Sequence, residues 1–485
     1  MKTYEDLLEI TNEEDLRRFV YNVVSEYKGS EEYRNAFTAS EYMERRNVTI
    51  TNYQKLLYKL SGEAVPDNFS ANYKFCNAFF PMFVKQEVSY LLGNGITFNE
   101  ESTKEKLGGK KFDTAMMKAG KMAVWGGIAY GFLNLDHIDV FSALEFVPLW
   151  GEEDGGLHAG VRFWQISADK PLRATLYEAD GYTEYIYRRA EREEKPMFEV
   201  LKEKTPYIQV IRETQADGAE IIDGRNYPGF PIIPLYANDA RQSEFEGLQE
   251  KLDGYDLIQS GFANDLDDAS QIYWTIKNAG GMDDIDLAKF IERMKVVKAA
   301  VVDDDGSQAE AHTIDVPYEA RMQALQEIRN SLYNDAMAVD MQTISQGNIT
   351  ATAIQGLYTN LDLKTDDFEN CVNEFIYGLL DLLGIEDAPS YKRNKVVNVA
   401  EETQVILSAA SYLDDRTLLE HLPFLSPDEI ESILEAREKE DMERYANIED
   451  RLENIEKNQQ TVEVTENDTK AVGEGNNENL PASER

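Results

Sequence analysis

The chain has 485 residues, with 49 basic and 90 acidic side chains and a formal net charge of −41. Apolar residues make up 42% of it, which is enough for a packed core and excludes a chain that is disordered throughout. The acidic excess excludes a protein that grips DNA through clustered lysines and arginines, but it is compatible with one past which DNA slides without sticking.

The first residues predict helices. Apolar side chains recur near every 3.6 positions in residues 1–62, and residues 72–92 continue the pattern as far as Gly93-Asn94-Gly95. From Val124 to about Ile233, aromatic and β-branched residues alternate with polar ones, which is typical of β-strands. We therefore expect a helical start followed by a β-rich region.

The helical pattern returns after Asn238. One amphipathic helix is predicted from Phe245 to Leu266, a second opens at Pro317, and a third covers residues 350–383. At 1.5 Å per residue the third would be about 50 Å long, and helices of this length favour packing between subunits. A helical bundle in a monomer is the other interpretation of the same periodicity. Residues 271–315, between the first two helices, predict a compact α/β insertion.

The last part predicts a small helical cap and then a tail. Residues 401–444 carry helical patterning, and Ser426-Pro427-Asp428-Glu429 matches a capping box. Residues 458–485 are polar and acidic, which predicts disorder.

Cysteine use and apolar runs indicate a soluble intracellular protein. Cys76 and Cys371 form no CxxC pair, which excludes a disulfide framework and a thiolate zinc site. The first residues contain no apolar signal segment, and the longest strongly apolar run, 122–135, is too short to cross a bilayer.

The motifs of common catalytic sites are missing. The sequence contains no GxxxxGK[ST] loop, complete GxGxxG, HExxH or GxSxG. The four histidines are scattered without ligand spacing, and we assign them structural roles: His137, His158, His312 and His421. We predict no enzymatic activity, no cofactor and no metal site.

Two carboxylate clusters have two interpretations. The first contains Asp283, Asp284 and Asp286, and the second contains Asp303, Asp304 and Asp305. Either could hold a divalent cation, and a metal-dependent nuclease is therefore a minor alternative. The second cluster lacks the spacing of an EF-hand and lies between apolar runs that predict a hairpin with an acidic tip. We favour solvated turns, since clusters of Asp are expected in so acidic a chain.

One window is unusual because it carries no charge. From Met341 to Leu361 no Asp, Glu, Lys or Arg occurs, although 29% of the chain is charged. The window joins the second and third long helices, and residues 343–349 predict a neutral, polar loop. A neutral loop facing a polyanion would neither trap nor repel it. An ordinary interhelical loop is the alternative interpretation.

Several collinear stretches resemble the portal (head-to-tail connector) proteins of tailed double-stranded DNA bacteriophages, particularly those of Gram-positive hosts. The resembling stretches are 84–93, 96–98, 126–131, 231–235 with Asn238, Leu248 with 252–256, Ser260, Asn264-Asp265 and 348–354. The last one departs from the family pattern, in which Ser-Gly commonly precedes the Ala, because Thr350-Ala351 stands here.

The resemblance implies an α+β portal-type subunit assembled as a closed ring, commonly of twelve copies, with a β-rich wing, long stem helices, an α/β clip, a long wing helix and a helical crown. The implied segments are an N-terminal helical segment (1–29), wing (30–240), stem helix (241–270), clip (271–316), stem helix (317–341), tunnel loop (342–349), long wing helix and connector (350–399), crown (400–445) and acidic, largely disordered tail (446–485).

The resemblance also implies sites and partners. The ring would sit at one capsid vertex in the virion, after assembly in the host cytoplasm, and would carry double-stranded DNA in and out without sequence specificity. Its clip, with the six aspartates named above, would dock the terminase large subunit and later a head-completion adaptor, while scaffolding and major capsid proteins would join during procapsid assembly. The DNA-facing tunnel loop would be Gln342, Thr343, Ile344, Ser345, Gln346, Gly347, Asn348 and Ile349.

The charge pattern agrees with this implied role, because the bore of a DNA conduit should be acidic or neutral. The alternative we keep is an acidic structural adaptor or scaffold-associated head protein without a DNA channel.

Overall fold

The computed structural model describes residues 2–58, 62–67, 70–188, 196–214, 220–269, 273–277, 308–312, 317–342, 351–395, 399–422, 430, 432–440 and 442. The helices named below are α1 (Tyr4–Leu8), α2 (Glu13–Lys28), α3 (Glu31–Met43), α4 (Val48–Asn52), α5 (Phe79–Leu92), α6 (Glu101–Lys106), α7 (Lys110–Gly126), α8 (Gln249–Ala269), α9 (Tyr318–Asp335), α10 (Ala351–Leu383), α11 (Val399–Ser408) and α12 (Asp415–His421).

The strands pair in antiparallel fashion throughout. They are β1 (Leu56–Tyr58), β2 (Ala64–Pro66), β3 (Ile96–Phe98), β4 (Ile128–Asn134), β5 (His137–Ser142), β6 (Phe146–Trp150), β7 (Leu157–Trp164), β8 (Leu172–Glu178), β9 (Gly181–Tyr187), β10 (Glu199–Thr205), β11 (Ile208–Thr214), β12 (Glu220–Arg225), β13 (Ile232–Tyr236), β14 (Tyr273–Lys277), β15 (Gln308–His312) and β16 (Pro389–Tyr391). The mixture of helices and sheets confirms the predicted α+β class.

Three sheets make up the predicted β-rich region. The two larger ones are a three-stranded sheet of order β13-β4-β5 and a five-stranded meander, β10-β9-β8-β7-β6, and the third is the two-stranded sheet β11-β12. Aromatic side chains fill the space between the two larger sheets: the rings of Tyr130 on β4 and Phe146 on β6 lie 4.5 Å apart. The region begins at Ile128 rather than at Val124, because α7 continues to Gly126.

The largest core lies on the other face of the three-stranded sheet, where α5, α7 and α10 pack. Two glycines allow this close packing. A Cβ atom on Gly131 of β4 would lie 2.3 Å from the Phe375 ring of α10, and one on Gly120 of α7 would lie 3.2 Å from the Phe368 ring. Most of the predicted apolar stripe of α10 is buried, whereas its first two residues, Ile354 and Leu357, are half-buried. The buried ones are Leu361, Phe368, Cys371, Phe375, Leu379 and Leu382.

The predicted helix over residues 72–92 begins later than expected. α5 starts only at Phe79, and residues 71–78 have no regular structure. Backbone N–H groups of Tyr73 and Phe75 donate to Asn264 Oδ1 and Ser260 Oγ of α8, at 2.7 and 3.0 Å. Side chains of α8, which is distant in sequence, thus accept the hydrogen bonds of backbone N–H groups that carbonyl groups of the same helix would accept if these residues were helical.

α8 and α9 pack side by side in opposite directions, as the two predicted amphipathic helices. Lys251 Nζ of α8 lies 2.7 Å from Ser331 Oγ near the end of α9. Asp265, near the other end of α8, pairs with Arg321 near the start of α9. α8 starts at Gln249 rather than Phe245, and its predicted apolar residue Leu266 is 51% exposed.

Between these helices the structure describes two strands, β14 and β15, which pair in antiparallel fashion. Of the two apolar runs that predicted a hairpin, the one over residues 309–314 is observed as a strand in its described part, 309–312, within β15. Its predicted partner, residues 296–302, lies outside the described residues, and the described partner is β14.

Contacts divide the chain into two compact units. The first comprises residues 1–349 and 355–395, and the second comprises residues 350–354 and 396–485. The second unit contains α11 and α12, in agreement with a helical cap. The capping box at residues 426–429 and the predicted tail at 458–485 lie outside the described residues. Within the described ranges, no helix has the length and apolar character that a bilayer span requires.

Candidate functional site

The described residues include only part of the predicted site. Gln342 is described, whereas Thr343, Ile344, Ser345, Gln346, Gly347, Asn348 and Ile349 lie outside the described residues. The same holds for the six clip aspartates, Asp283, Asp284, Asp286, Asp303, Asp304 and Asp305. The site can therefore be built from the segment that leads into the loop, residues 336–342, and from the helices that hold it. We call residues 336–342 the loop approach.

α9 ends in a tight reversal that starts the loop approach. Met337 has φ of 52°, in the left-handed region that is uncommon for a residue other than glycine. The N–H of Ala338 donates to the carbonyl of Tyr333 at 3.0 Å, a bond that is typical of a Schellman helix end. This reversal directs the following residues toward α5.

The side chain of Gln86 on α5 holds the backbone of the loop approach in place. Its amide Nε2 donates to the carbonyl of Val339, and its Oε1 accepts from the N–H of Val339, both at 3.0 Å. One side-chain amide thus satisfies both polar backbone groups of a residue that is 3% exposed. The pairing holds position 339 in the way a neighbouring strand would.

Asp340, the next residue, is held by α9. Its carboxylate forms two contacts with the Arg329 guanidinium, 2.7 Å from Oδ2 to Nη1 and 2.9 Å from Oδ1 to Nη2. The Arg329 side chain is only 15% exposed, so solvent screens this pair less than it would a surface pair. Asp340 Oδ1 also accepts from the N–H of Gln342 at 2.9 Å. The first residue of the predicted loop therefore has a fixed backbone.

Lys364 of α10 joins three elements beneath the loop approach. Its Nζ lies 2.8 Å from carboxylate oxygens of both Glu87 on α5 and Glu244 before α8. It also donates to the carbonyl of Ala336 at 3.2 Å, at the end of α9. Lys364 thereby links α10 to α5, to the segment before α8 and to the residue that ends α9.

Burial controls the charge of this group. Glu87 is 2% exposed, and the loss of solvation raises its pKa to about 7, although the neighbouring Lys364 opposes the rise. Burial alone would lower the pKa of Lys364, but the two carboxylates outweigh it and raise that pKa above the ordinary value. Lys364 therefore stays protonated, while Glu87 can titrate near neutral pH.

The helix that follows the loop is held by the same face of α5. Tyr90, one turn after Gln86, donates from its hydroxyl to Asp362 of α10 at 2.6 Å, and its ring stacks on Tyr358 at 5.6 Å. Asp362 also contacts Arg393 at 3.1 Å. Burial would raise the pKa of Asp362, but the hydrogen bonds from Tyr90, Lys395 and Arg393 outweigh burial and lower it. Gln86 and Tyr90 thus fix the chain on both sides of the predicted loop.

None of these anchors was singled out as a site residue from the sequence. Gln86, Glu87 and Tyr90 lie in a stretch that resembles the portal family, but nothing in the stretch shows which backbone they hold. The one sequence feature that could have identified an anchor was a charged residue, Lys364, close to the apolar stripe of a predicted helix. A charge at such a position requires a buried partner.

A single three-residue group in the described part of the chain has the spacing of metal ligands: Asp239, Asp367 and Cys371. Burial and the nearby carboxylates raise the pKa of the Cys371 thiol to about 12, so the thiol stays protonated. Metal ions bind the thiolate. A metal ion bound there would have to displace the thiol proton.

Comparisons with known proteins extend the resemblance to most of the chain. Residues 24–443 match the family model of phage portal proteins described as SPP1 Gp6-like. The portal protein of Bacillus phage SPP1 is 23% identical over 431 residues, which cover 82% of each chain. The portal protein of Clostridium phage phiCD119 is 28% identical over 205 residues, 40% of this chain and 45% of that protein. The chain thus spans less than half of this second relative.

Solved structures are similar at a lower level. The neck of a native gene transfer agent particle, computed with C12 symmetry, shares 12% identity at a TM-score of 0.40 over 72% of this chain and 90% of that one. A chain of the native gene transfer agent virion shares 13% identity at a TM-score of 0.39, over 69% and 85%. The family match covers far more than half of the sequence, and the chain therefore belongs to the SPP1 Gp6-like family of phage portal proteins, structural proteins of the virion.

Proposed function

We propose that copies of this chain form a ring-shaped channel at one capsid vertex, through which double-stranded DNA is packaged and later ejected. The observation that carries the proposal is the family match over residues 24–443. The channel would connect head and tail and would nucleate procapsid assembly. Twelve is the subunit number that we expect.

The segments that we propose for this ring are those that the resemblance implies. α8 and α9 would be the stem helices, within residues 241–270 and 317–341, with the clip between them at 271–316. The wing would comprise residues 30–240 and the long helix of 350–399, the crown would be residues 400–445, and residues 1–29 and 446–485 would be the terminal segments. The ion pairs of Lys251 with Asp335 and of Arg321 with Asp265, and the ring contact between Phe262 and Tyr318, support a rigid stem.

Residues 342–349 would form the loop that faces DNA. The support is a contrast: the loop approach is fixed by Gln86 and Arg329, while no residue from Met341 to Leu361 is charged. A loop on such a base can project toward a moving duplex without a charge that would hold the phosphates.

Partners would meet the ring at different places and stages. The clip aspartates Asp283, Asp284, Asp286, Asp303, Asp304 and Asp305 would dock the terminase large subunit and later a head-completion adaptor. Scaffolding and major capsid proteins would contact the ring during assembly in the host cytoplasm. We propose that the chain itself is no enzyme, since the ATP-driven step would belong to the terminase motor.

Electron microscopy and native mass measurement of the purified full chain test the proposal. We expect rings with a central hole wide enough for a duplex and a single mass near twelve times 55.2 kDa. Monomers or open filaments at all protein concentrations would contradict it and would favour the acidic adaptor without a channel.

A further inference from the structure

One face of α7 carries four lysines in a chain of net charge −41. At about 100° per residue, they fall within a sector of about 100° around the helix. They are Lys110, Lys111, Lys118 and Lys121. Lys110, Lys111 and Lys118 are exposed, and Lys121 is half-buried. None of the four forms an ion pair with another described residue, whereas Lys104 on the preceding helix is paired with Asp113 at 2.7 Å. We call these four residues the lysine face.

α10 presents a face of opposite character. One series of its exposed residues recurs every three or four positions and includes acidic, polar and apolar side chains but no basic one, although Asp366 within it is paired with Arg393. Its members are Thr359, Leu363, Asp366, Asn370, Glu374, Tyr377 and Asp381. Leu363 is 60% exposed and Tyr377 is 44% exposed, which is unusual for large apolar side chains on a helix whose other side is a core. We call these seven residues the acidic stripe.

The two surfaces point away from each other within one subunit. α7 and α10 meet through their apolar sides, where the Phe368 ring lies beside Gly120. On α10, residues of the acidic stripe lie about 120–180° around the helix from Phe368, and on α7 the lysines lie about 80–180° from Gly120. A basic surface and an acidic surface therefore flank the same core on different sides.

We propose that the lysine face of one copy docks on the acidic stripe of the next copy in the ring. This inference rests on the proposed function, which supplies the ring. A closed ring needs a head-to-tail contact between two different, complementary surfaces of the subunit. Copies that carry −41 each repel one another, so a contact is favoured where the local charge is inverted. Leu363 and Tyr377 would supply the apolar part of the contact.

The charges also select the partner class. Pairing the lysine face with itself, or the acidic stripe with itself, would bring like charges together, so a symmetric dimer is disfavoured. DNA is disfavoured because the net charge of the subunit repels a polyanion at long range. A second copy of this chain, oriented in the same sense around an axis, satisfies both surfaces.

Charge reversal of the full chain tests the pairing. We expect Lys110→Glu/Lys121→Glu to raise the concentration needed for half-assembly at least tenfold at 0.15 M salt, as measured by mass photometry and electron microscopy. The control, Lys170→Glu/Lys202→Glu, makes the same change of net charge on exposed residues of the five-stranded sheet region and should stay within twofold of the wild type.

A compensating variant distinguishes a lost contact from lost folding. Adding Glu374→Lys/Asp381→Lys to the Lys110→Glu/Lys121→Glu chain exchanges the charges of the two surfaces, and we expect rings to return. Assembly of the first variant at wild-type concentrations, or no recovery in the exchanged chain, would overturn the pairing. A wild type that forms no ring would overturn the proposed function first.

Cross-linking of the wild type gives a second measurement that needs no variant. Rings assembled from a mixture of unlabelled and ¹⁵N-labelled chains are treated with a carbodiimide, which joins an amine directly to a carboxylate. We expect mixed-isotope links from lysines of the lysine face to Glu374 or Asp381. The proposal would be refuted if these lysines were linked only to carboxylates of their own copy. It would also be refuted if they were linked only to carboxylates of the neighbouring copy other than Glu374 and Asp381.

Discussion

Oδ1 of Asp256 accepts two hydrogen bonds from Asn77, one from the backbone N–H and one from the side-chain amide, both at 2.9 Å. With Ser260 and Asn264, which accept from Phe75 and Tyr73, it completes a ladder along α8. Four residues of a helix span about 6 Å along its axis, and two residues of an extended chain span about 6.6 Å. The acceptors, which recur every four residues on α8, therefore match the donors, which recur every two residues on the extended segment. The ladder holds the extended segment before α5 against the proposed stem.

The first prediction concerns this ladder. Asp256 is 1% exposed and also accepts from Nδ2 of the buried Asn47 at 2.9 Å, so its removal takes an acceptor from the Asn47 amide and from the backbone N–H of Asn77. We expect Asp256→Ala to lower the free energy of unfolding by about 3 kcal/mol. Urea unfolding followed by circular dichroism measures the change. Glu250→Ala on the exposed part of the same helix is the control, and an equally small loss in both variants would show that the ladder contributes little.

The ladder also explains why the sequence predicted this region incorrectly. Residues 72–78 carry apolar side chains at helical spacing, and the pattern gave no reason to end the helix at Phe79. The residues that decide the conformation, Asp256, Ser260 and Asn264, lie 179, 185 and 191 positions from the residues they hold. Periodicity reports which face is apolar, and it cannot report a distant acceptor.

Long elements were predicted well for the opposite reason. The helix predicted over residues 350–383 is observed as α10, because its apolar stripe repeats over many turns. The α8–α9 pair and the β-rich region followed from the same kind of local repetition. The anchors Gln86 and Lys364 were missed, since each acts on an element that the sequence does not place beside it.

The second prediction concerns Gln86. We expect Gln86→Met, which keeps the size and removes both hydrogen bonds to Val339, to lower the free energy of unfolding by about 2 kcal/mol. The backbone amides of Val339 and Gln342 should exchange faster in hydrogen–deuterium exchange, because the loop approach opens locally. Gln326→Met, at an exposed position of α9, is the control. Unchanged exchange at 339–342 would contradict the anchoring role.

The third prediction is a pH dependence from Glu87. Burial raises its pKa from the ordinary 4.5 to about 7, so the folded state favours the neutral carboxyl. Its contribution to stability is fully present below about pH 4.5 and is lost as the pH rises through about 7. Glu87→Gln stays neutral and avoids this loss, while Lys364 keeps Glu244 as a partner.

The measurement is the stability of both proteins at several pH values. Between pH 5 and pH 8 we expect the wild type to lose about 2 kcal/mol relative to Glu87→Gln. Other groups near Glu87, Lys364, Glu244 and Asp367, are present in both proteins. Glu101→Gln at an exposed position should show no such trend. A difference that is constant with pH would mean that Glu87 is ionised throughout.

The last prediction tests contact between the loop and DNA. In a ring, Ser345→Lys or Gln346→Lys would place one ammonium per copy in a segment that has no charge from Met341 to Leu361. Bound phosphates would release counterions, and the duplex would be held. We expect rings to form normally but packaging to slow by about tenfold at low salt, with a smaller effect as the salt concentration rises.

Packaging into procapsids with terminase and ATP measures the rate and the packaged length. Ala168→Lys, in an exposed turn of the five-stranded sheet, adds the same charge elsewhere, and Gln346→Asn changes the loop without a charge. Both should package at the wild-type rate. Because the loop approach is anchored by Gln86 and Arg329, an effect limited to the loop lysines, with intact rings, would come from the added charge and not from a displaced loop base. Wild-type rate and length in the lysine variants would place residues 342–349 away from DNA.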